Sequence, residues 1–275
     1  MKRTRIALVS LFSAVALALV AVPAAAQPST TAELINELNG KLLYLGIPIT
    51  LLVEVILIYT VIKFRNNDDP QPTKENRRLE ITWTVATAII LVFVGVASYG
   101  VLANPNVTYA EEPGLQEPGQ DGSTLVHAEA YQWGWEFTYP GENVTVDGSE
   151  AAPVVIPADQ DVYFEVTSRD VIHAFHVPEM GLKTDAFPEQ NNTIKTVAHY
   201  QENDDNVYQG YCAEFCGVAH SQMYFQVEVV PQDEYEQWLQ EQSSEGESGG
   251  SGNESGNASN SSVVTAPAEL TAVEY

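Results

Sequence analysis

Two apolar runs leave this chain few folds to choose from. Residues 42–62 are apolar apart from Glu54 and the helix-tolerated Pro48, and residues 81–102 carry no charge. Each is long enough to cross a bilayer as a helix, the form that satisfies every backbone polar group within the segment. Lys63, Phe64 and Arg65 close the first run, and Asn104-Pro105 closes the second. Lys74, Arg77 and Arg78 sit in the short loop between them, so that loop is expected on the cytoplasmic side and both ends outside. Glu54 is then an intramembrane carboxylate, either functional or facing a partner helix. Glu80, at the cytoplasmic mouth of the second run, reads from composition as a helix N-terminal carboxylate favoured by the macrodipole.

The flanking segments complete the layout. Residues 1–26 have a charged start (Lys2, Arg3, Arg5), an apolar centre and Ala24-Ala25-Ala26, the pattern of a secretory signal. Residues 27–104 then form the membrane hairpin, with spans at about 42–62 and 81–102, and residues 105–123 a Gly/Pro/Glu/Gln linker. Residues 124–241 alternate as strands do. Trp133, Trp135, Phe137 and Tyr139 share a two-residue period that would put both tryptophans on one face. Val162, Phe164 and Val166 repeat it, as do Met223, Phe225, Val227 and Val229. This predicts an antiparallel β-sandwich or barrel, followed by a short helix from Asp233 to Gln240. The Ser/Gly/Asn/Glu-rich stretch of 242–275 is expected to be disordered.

Charge narrows the function. The formal net charge is −25, and past Ala103 only Arg169, Lys183 and Lys195 stand against 30 acidic residues. Such a surface repels nucleic acid. Acid spread over the whole outer part, with lysine scarce, points to solubility at high salt rather than to one steering patch.

The chemistry concentrates in Tyr211-Cys212-Ala213-Glu214-Phe215-Cys216-Gly217-Val218-Ala219-His220-Ser221-Gln222-Met223, which holds both cysteines of the chain. Thiolate, imidazole and thioether together suit copper better than hard cations. A disulfide between Cys212 and Cys216 is the alternative in an exported domain, but it has no use for His220 or Met223. Zinc is poorly served by a thioether. A further ligand must come from elsewhere. His173, in Asp170-Val171-Ile172-His173, is the natural candidate, with His176 a rival. His127 and His199 read as structural or exposed. Two thiolates in one loop could bridge two copper ions, each keeping one histidine and a weak axial group: the Glu214 carbonyl for one and Met223 for the other.

This arrangement resembles subunit 2 of the haem-copper cytochrome c oxidases. The Cys212–Met223 segment matches the binuclear copper (CuA) loop of that family. Asp170–His173 and Gly181-Leu182-Lys183-Thr184-Asp185-Ala186-Phe187-Pro188 match its upstream histidine region. Tyr131-Gln132-Trp133-Gly134-Trp135 resembles its aromatic cluster, and Glu80-Ile81-Thr82-Trp83 the start of its second membrane helix. The chain departs from the family at Gly134, usually a bulky aromatic, and at His176, usually apolar.

The resemblance implies a membrane α plus all-β protein: a two-helix transmembrane hairpin carrying a cupredoxin-like Greek-key β-sandwich on the extracellular face of the cell membrane. It implies CuA ligation by His173, Cys212, the Glu214 carbonyl, Cys216, His220 and Met223. Electrons would arrive near Trp133 and pass to haem in subunit 1, where oxygen is reduced to water with proton pumping. The Glu214 side chain would help hold magnesium or manganese shared with subunit 1, in keeping with the preference of hard cations for carboxylates. Glu80 would stand near the mouth of a proton pathway. Subunit 1, subunit 3, membrane lipid and a donor, either cytochrome c or a small blue-copper protein, are the implied partners. With the acidic surface, the source is expected to be a halophilic archaeon. A membrane-anchored copper carrier is the binding-class alternative, but it would be richer in methionine. The copper domain of a nitrous oxide reductase would need a much larger second domain, and quinol-oxidase subunits of this fold lack the copper ligands.

Overall fold

The structure, a computed structural model, describes residues 27–72, 74–110, 118–120, 122–142 and 144–248, with side chains up to 244. The expected signal at 1–26 and the tail beyond 248 lie outside the described residues. Helix α1 runs Thr30–Phe64 with Pro48 inside it, and α2 runs Arg77–Leu102. Each has a side-chain cap: the Ser29 hydroxyl accepts from Ala32 N at 3.1 Å and Asn76 Oδ1 from Leu79 N at 3.2 Å. These caps satisfy amides that the helix itself leaves free. Glu80 lies in the first turn of α2, where its charge complements the helix dipole. The most apolar window of each helix has mean hydropathy 2.3 and none of it is buried. Leu52 is 61% and Val96 71% exposed, a surface that calls for lipid or partner helices rather than water.

Helix α1 begins well before the apolar run. Its first turn lies ahead of the apolar run and is seated on the β domain. Ser29, Thr31 and Ala32 are buried there. Ser29 Oγ donates to Met180 O at 2.7 Å, and Thr31 Oγ1 donates to Asn106 O at 2.7 Å. The residues around 104–109 therefore carry more order than a plain linker: Tyr109 packs edge-on against Tyr163, ring centroids 5.4 Å apart.

The β domain is a sandwich of two five-stranded sheets. One has the order β3 (Val144–Val146), β2 (Gly134–Tyr139), β1 (Thr124–Tyr131), β5 (Asp161–Ser168), β8 (Asn192–Val197). The other runs β4 (Val154–Pro157), β10 (Tyr224–Val230), β9 (Val207–Cys212), β6 (His173–Val177), β7 (Leu182–Ala186). Most pairs are antiparallel, but β1 with β5 and β4 with β10 are parallel, so the sandwich departs from the all-antiparallel expectation. Alternation reports that a residue faces the core and says nothing of strand direction. Between the sheets, Trp135, Phe137, Phe164, Phe175 and Phe225 are buried, with Phe175 and Phe225 stacked at 4.9 Å. Such pairs add to the area they remove from water.

Two expectations need correction. Trp133 does not share a strand face with Trp135. The chain reverses at Gln132 and Trp133, Tyr131 pairs with Gly134, and Trp133 stands 40% exposed in the turn while Trp135 is buried. The period-two pattern runs through the reversal because a two-residue turn preserves alternation. The last helix, α3, spans Gln232–Ser248, longer than Asp233–Gln240 and reaching into the stretch expected to lack structure. Tyr235 and Trp238 anchor it, the latter against Tyr139 at 5.1 Å. Glutamine–glutamate pairs one turn apart, Gln232 to Glu236 and Gln237 to Glu241, suit its polar continuation.

Candidate metal centre

The ligand loop follows directly from β9. Cys212 closes that strand, a short 3-10 turn spans His220–Gln222, and the chain re-enters the sheet at Tyr224. Because β9 and β10 are paired, Cys212 N donates to Met223 O at 3.0 Å, and the loop between them must fold back on itself. His173 opens β6, which pairs with β9. Strand pairing thus brings residues distant in sequence to one end of the sandwich.

Around the two thiols the side chains fall into two sets. Cys212 Sγ lies 3.7 Å from His173 Nδ1 and 3.2 Å from the Glu214 carbonyl oxygen. Cys216 Sγ lies 3.6 Å from His220 Nδ1 and 3.2 Å from Met223 Sδ. The sulfurs are 3.9 Å apart and both cysteines are free, a separation far beyond the roughly 2.05 Å of a disulfide. His173, Cys212 and Cys216 bring their ligand atoms within 4.8 Å of one another, all buried. Met223 is buried too, His220 half-buried, and Glu214 turns an exposed side chain outward. Two thiols, two imidazoles, one thioether and one carbonyl form a soft donor set suited to copper.

Burial, and then the neighbouring Cys212, push the Cys216 thiol up to about 12. Without metal it keeps its proton at neutral pH, and a bound cation would have to displace it.

His173 is held from behind. Its Nε2 lies 2.9 Å from Asp170 Oδ1, and the Trp135 ring meets its imidazole edge-on at 6.4 Å. Desolvation raises the Asp170 carboxyl, but hydrogen bonds from His173 and from the Val171 and Gln132 amides outweigh it and hold the group below its usual range. The rival His176 stays out of the cluster, its Nδ1 2.9 Å from Leu182 O and its ring against Tyr211. His127 pairs with Glu165 and His199 with Asp159, each at 2.9 Å, so both serve structure.

Trp133 reaches the centre from outside. Its Nε1 donates to Cys216 O at 3.2 Å, and Gln132 Nε2 donates to the same oxygen at 2.6 Å. Gly217 has φ +126°, and a Cβ there would come within 3.0 Å of the Trp133 ring, so glycine is what allows the indole to lie on the loop. Gly134 also has a reason: a Cβ on it would lie 2.6 Å from the Tyr131 hydroxyl. The Tyr131 ring occupies the space that a side chain at 134 would need.

Known proteins share the chain's two-part layout. The model of the cytochrome c oxidase subunit II transmembrane domain matches residues 11–101, and that of its periplasmic domain matches 146–230. A Rickettsia bellii protein named probable cytochrome c oxidase subunit 2 is 32% identical over 227 residues, covering 75% of this chain and 78% of its own. The chain belongs to the cytochrome c oxidase subunit 2 family. It is accordingly part of an oxidoreductase complex of the haem-copper oxidase type. The Cereibacter sphaeroides subunit 2 is 28% identical over 253 residues, 78% of each chain. The periplasmic domain of subunit II from Bradyrhizobium japonicum is similar at 27% identity and TM-score 0.40, over 44% of this chain and 94% of that one. The periplasmic match starts at Val146, so the hairpin turn carrying Trp133 lies ahead of it, whereas every candidate ligand lies within it.

Two residues of the site were not singled out from sequence. Asp170 appears there only as part of a matched segment, and Gln132 only beside Trp133. Their roles depend on contacts between segments far apart in the chain, for which a single sequence carries no signal.

Proposed function

We propose that this subunit takes electrons from an external donor at a binuclear CuA centre and delivers them to haem in subunit 1, where oxygen is reduced to water with proton pumping. The observation that carries the reading is the matched pair of donor sets about two thiols 3.9 Å apart: His173 and the Glu214 carbonyl on Cys212, His220 and Met223 on Cys216. Two bound copper ions would supply one-electron storage shared across both sulfurs. The buried walls, Met223 and His173 among them, exclude water and fix the imidazoles, so that little rearranges when charge changes.

Trp133 is the electron port: it is exposed to a donor on one side and bonded to the Cys216 carbonyl on the other. The Glu214 side chain, directed outward from between the cysteines, would join a magnesium or manganese ion shared with subunit 1. Glu80, at the cytoplasmic end of α2, would mark the mouth of a proton pathway. The basic loop between α1 and α2 supports placing the outer domain and both termini on the extracellular side, after removal of residues 1–26. The apolar faces of α1 and α2 would pack on subunit 1, with lipid and subunit 3 around them. The donor is cytochrome c or a small blue-copper protein, and the acidic surface is read as adaptation to high salt in a halophilic archaeon.

Rapid mixing tests the route. In the purified oxidase, reduced donor should bleach the copper absorbance before haem is reduced. Haem reduction at an unchanged rate in a Cys212→Ser, Cys216→Ser double variant would contradict it.

A further inference from the structure

We propose that Asp170 is a positioning residue that ties the His173 half of the centre to the turn bearing Trp133; this rests on the copper reading above. The carboxylate works on both sides. Oδ1 accepts from His173 Nε2 at 2.9 Å and from Val171 N at 2.6 Å, while Oδ2 accepts from Gln132 N at 2.7 Å. Through the first bond Asp170 selects the imidazole tautomer with its proton on Nε2, leaving the Nδ1 lone pair on the side of Cys212, where it would be available to a metal. Through the second it fixes the turn whose Gln132 amide and Trp133 indole both hold the Cys216 carbonyl. A continuous run of bonds therefore links the ligand of one half-site, His173, to the backbone of a ligand of the other, Cys216.

The corner itself is braced. Ser168 Oγ accepts from Asp170 N at 3.2 Å and donates to Val171 O at 2.5 Å. Arg169 N donates to Ala130 O at 2.9 Å, and its guanidinium binds Glu129 at 2.6 Å and also Glu136, one on each strand of the hairpin. Asparagine cannot replace this carboxylate. It has one acceptor oxygen, so either His173 or Gln132 would face an NH2 group instead. It also removes the negative charge that makes the imidazole a stronger donor. A weaker donor favours the reduced metal, so the reduction potential should rise.

The experiment uses the full chain in detergent, loaded with copper, reading copper count, reduction potential and EPR hyperfine pattern. Asp170→Asn should shift the one-electron equilibrium towards the reduced form by roughly tenfold, which is about 59 mV. Asp170→Glu, which keeps the charge, should recover part of the shift. Gln132→Ala, which leaves the His173 contact intact, should perturb the hyperfine pattern in the same sense but less. Asp161→Asn, which removes a carboxylate at the far end of β5, controls for general charge. If Asp170→Asn loses copper, restoration of binding by Asp170→Glu supports the role. A potential and hyperfine pattern for Asp170→Asn matching those of Asp161→Asn, with copper retained, overturns this inference alone. A wild-type chain that takes up no copper pair overturns the copper reading and this inference with it.

Discussion

The two halves of the candidate metal centre share a thiol and an imidazole but are built differently. His173 belongs to a strand, is fully buried, packs against Trp135 and is backed by Asp170. His220 belongs to a 3-10 turn on the loop, is half-buried, and has the exposed ring of Phe215 beside it at 5.9 Å. One half is part of the core, where any change of shape is felt by the packing. The other is held by the loop and by two bonds from the Gln132–Trp133 turn. A centre so divided can keep one side rigid and present the other to a neighbouring protein.

The largest effect should come from the sulfurs, one in each half. Cys212→Ser or Cys216→Ser should remove the binuclear centre, with copper per chain falling from two to one or none by metal analysis. The histidines should then separate the halves. His173→Ala should lose the centre and also cost the fold about 2–5 kcal/mol, as other large-to-small core changes do. His220→Ala should disturb the metal but cost the metal-free fold less than ~1 kcal/mol, since its site is partly open. Urea unfolding of both metal-free variants checks this, and equal losses would break the comparison. Met223→Leu conserves volume, so it should cost below ~1.5 kcal/mol and keep both copper ions.

A pH effect follows from Cys216. Burial and Cys212 raise its thiol from the ordinary 9.0 to about 12, so the unfolded chain loses that proton first. The part of the metal-free chain's stability that depends on this thiol should be fully present below about pH 9 and be lost as pH rises towards 12. Unfolding midpoints measured across this range check the sign. The smallest effect is expected at His176: His176→Ala should leave copper count and spectrum unchanged, because its Nδ1 is engaged with Leu182 O and not with the cluster.

Much of this was legible in the sequence because it was local. The ligand loop carries four donors within one segment, and the alternation of Met223, Phe225, Val227 and Val229 correctly turns Met223 inward. The membrane helices showed through their apolar length. Alternation alone misplaces Trp133, because it cannot tell a strand from a hairpin whose turn keeps the period. The seating of Ser29 and Thr31 on the β domain was hidden because it joins α1 to residues far along the chain, Met180 and Thr196. Asp170 was obscured for the same reason. Its partners Gln132 and His173 meet only after β1 and β5 pair side by side.

The most direct test is EPR of the oxidised, copper-loaded full chain. Two copper ions per chain are expected, with a hyperfine pattern from one unpaired electron shared equally between two nuclei. A pattern from a single copper nucleus would contradict the binuclear reading.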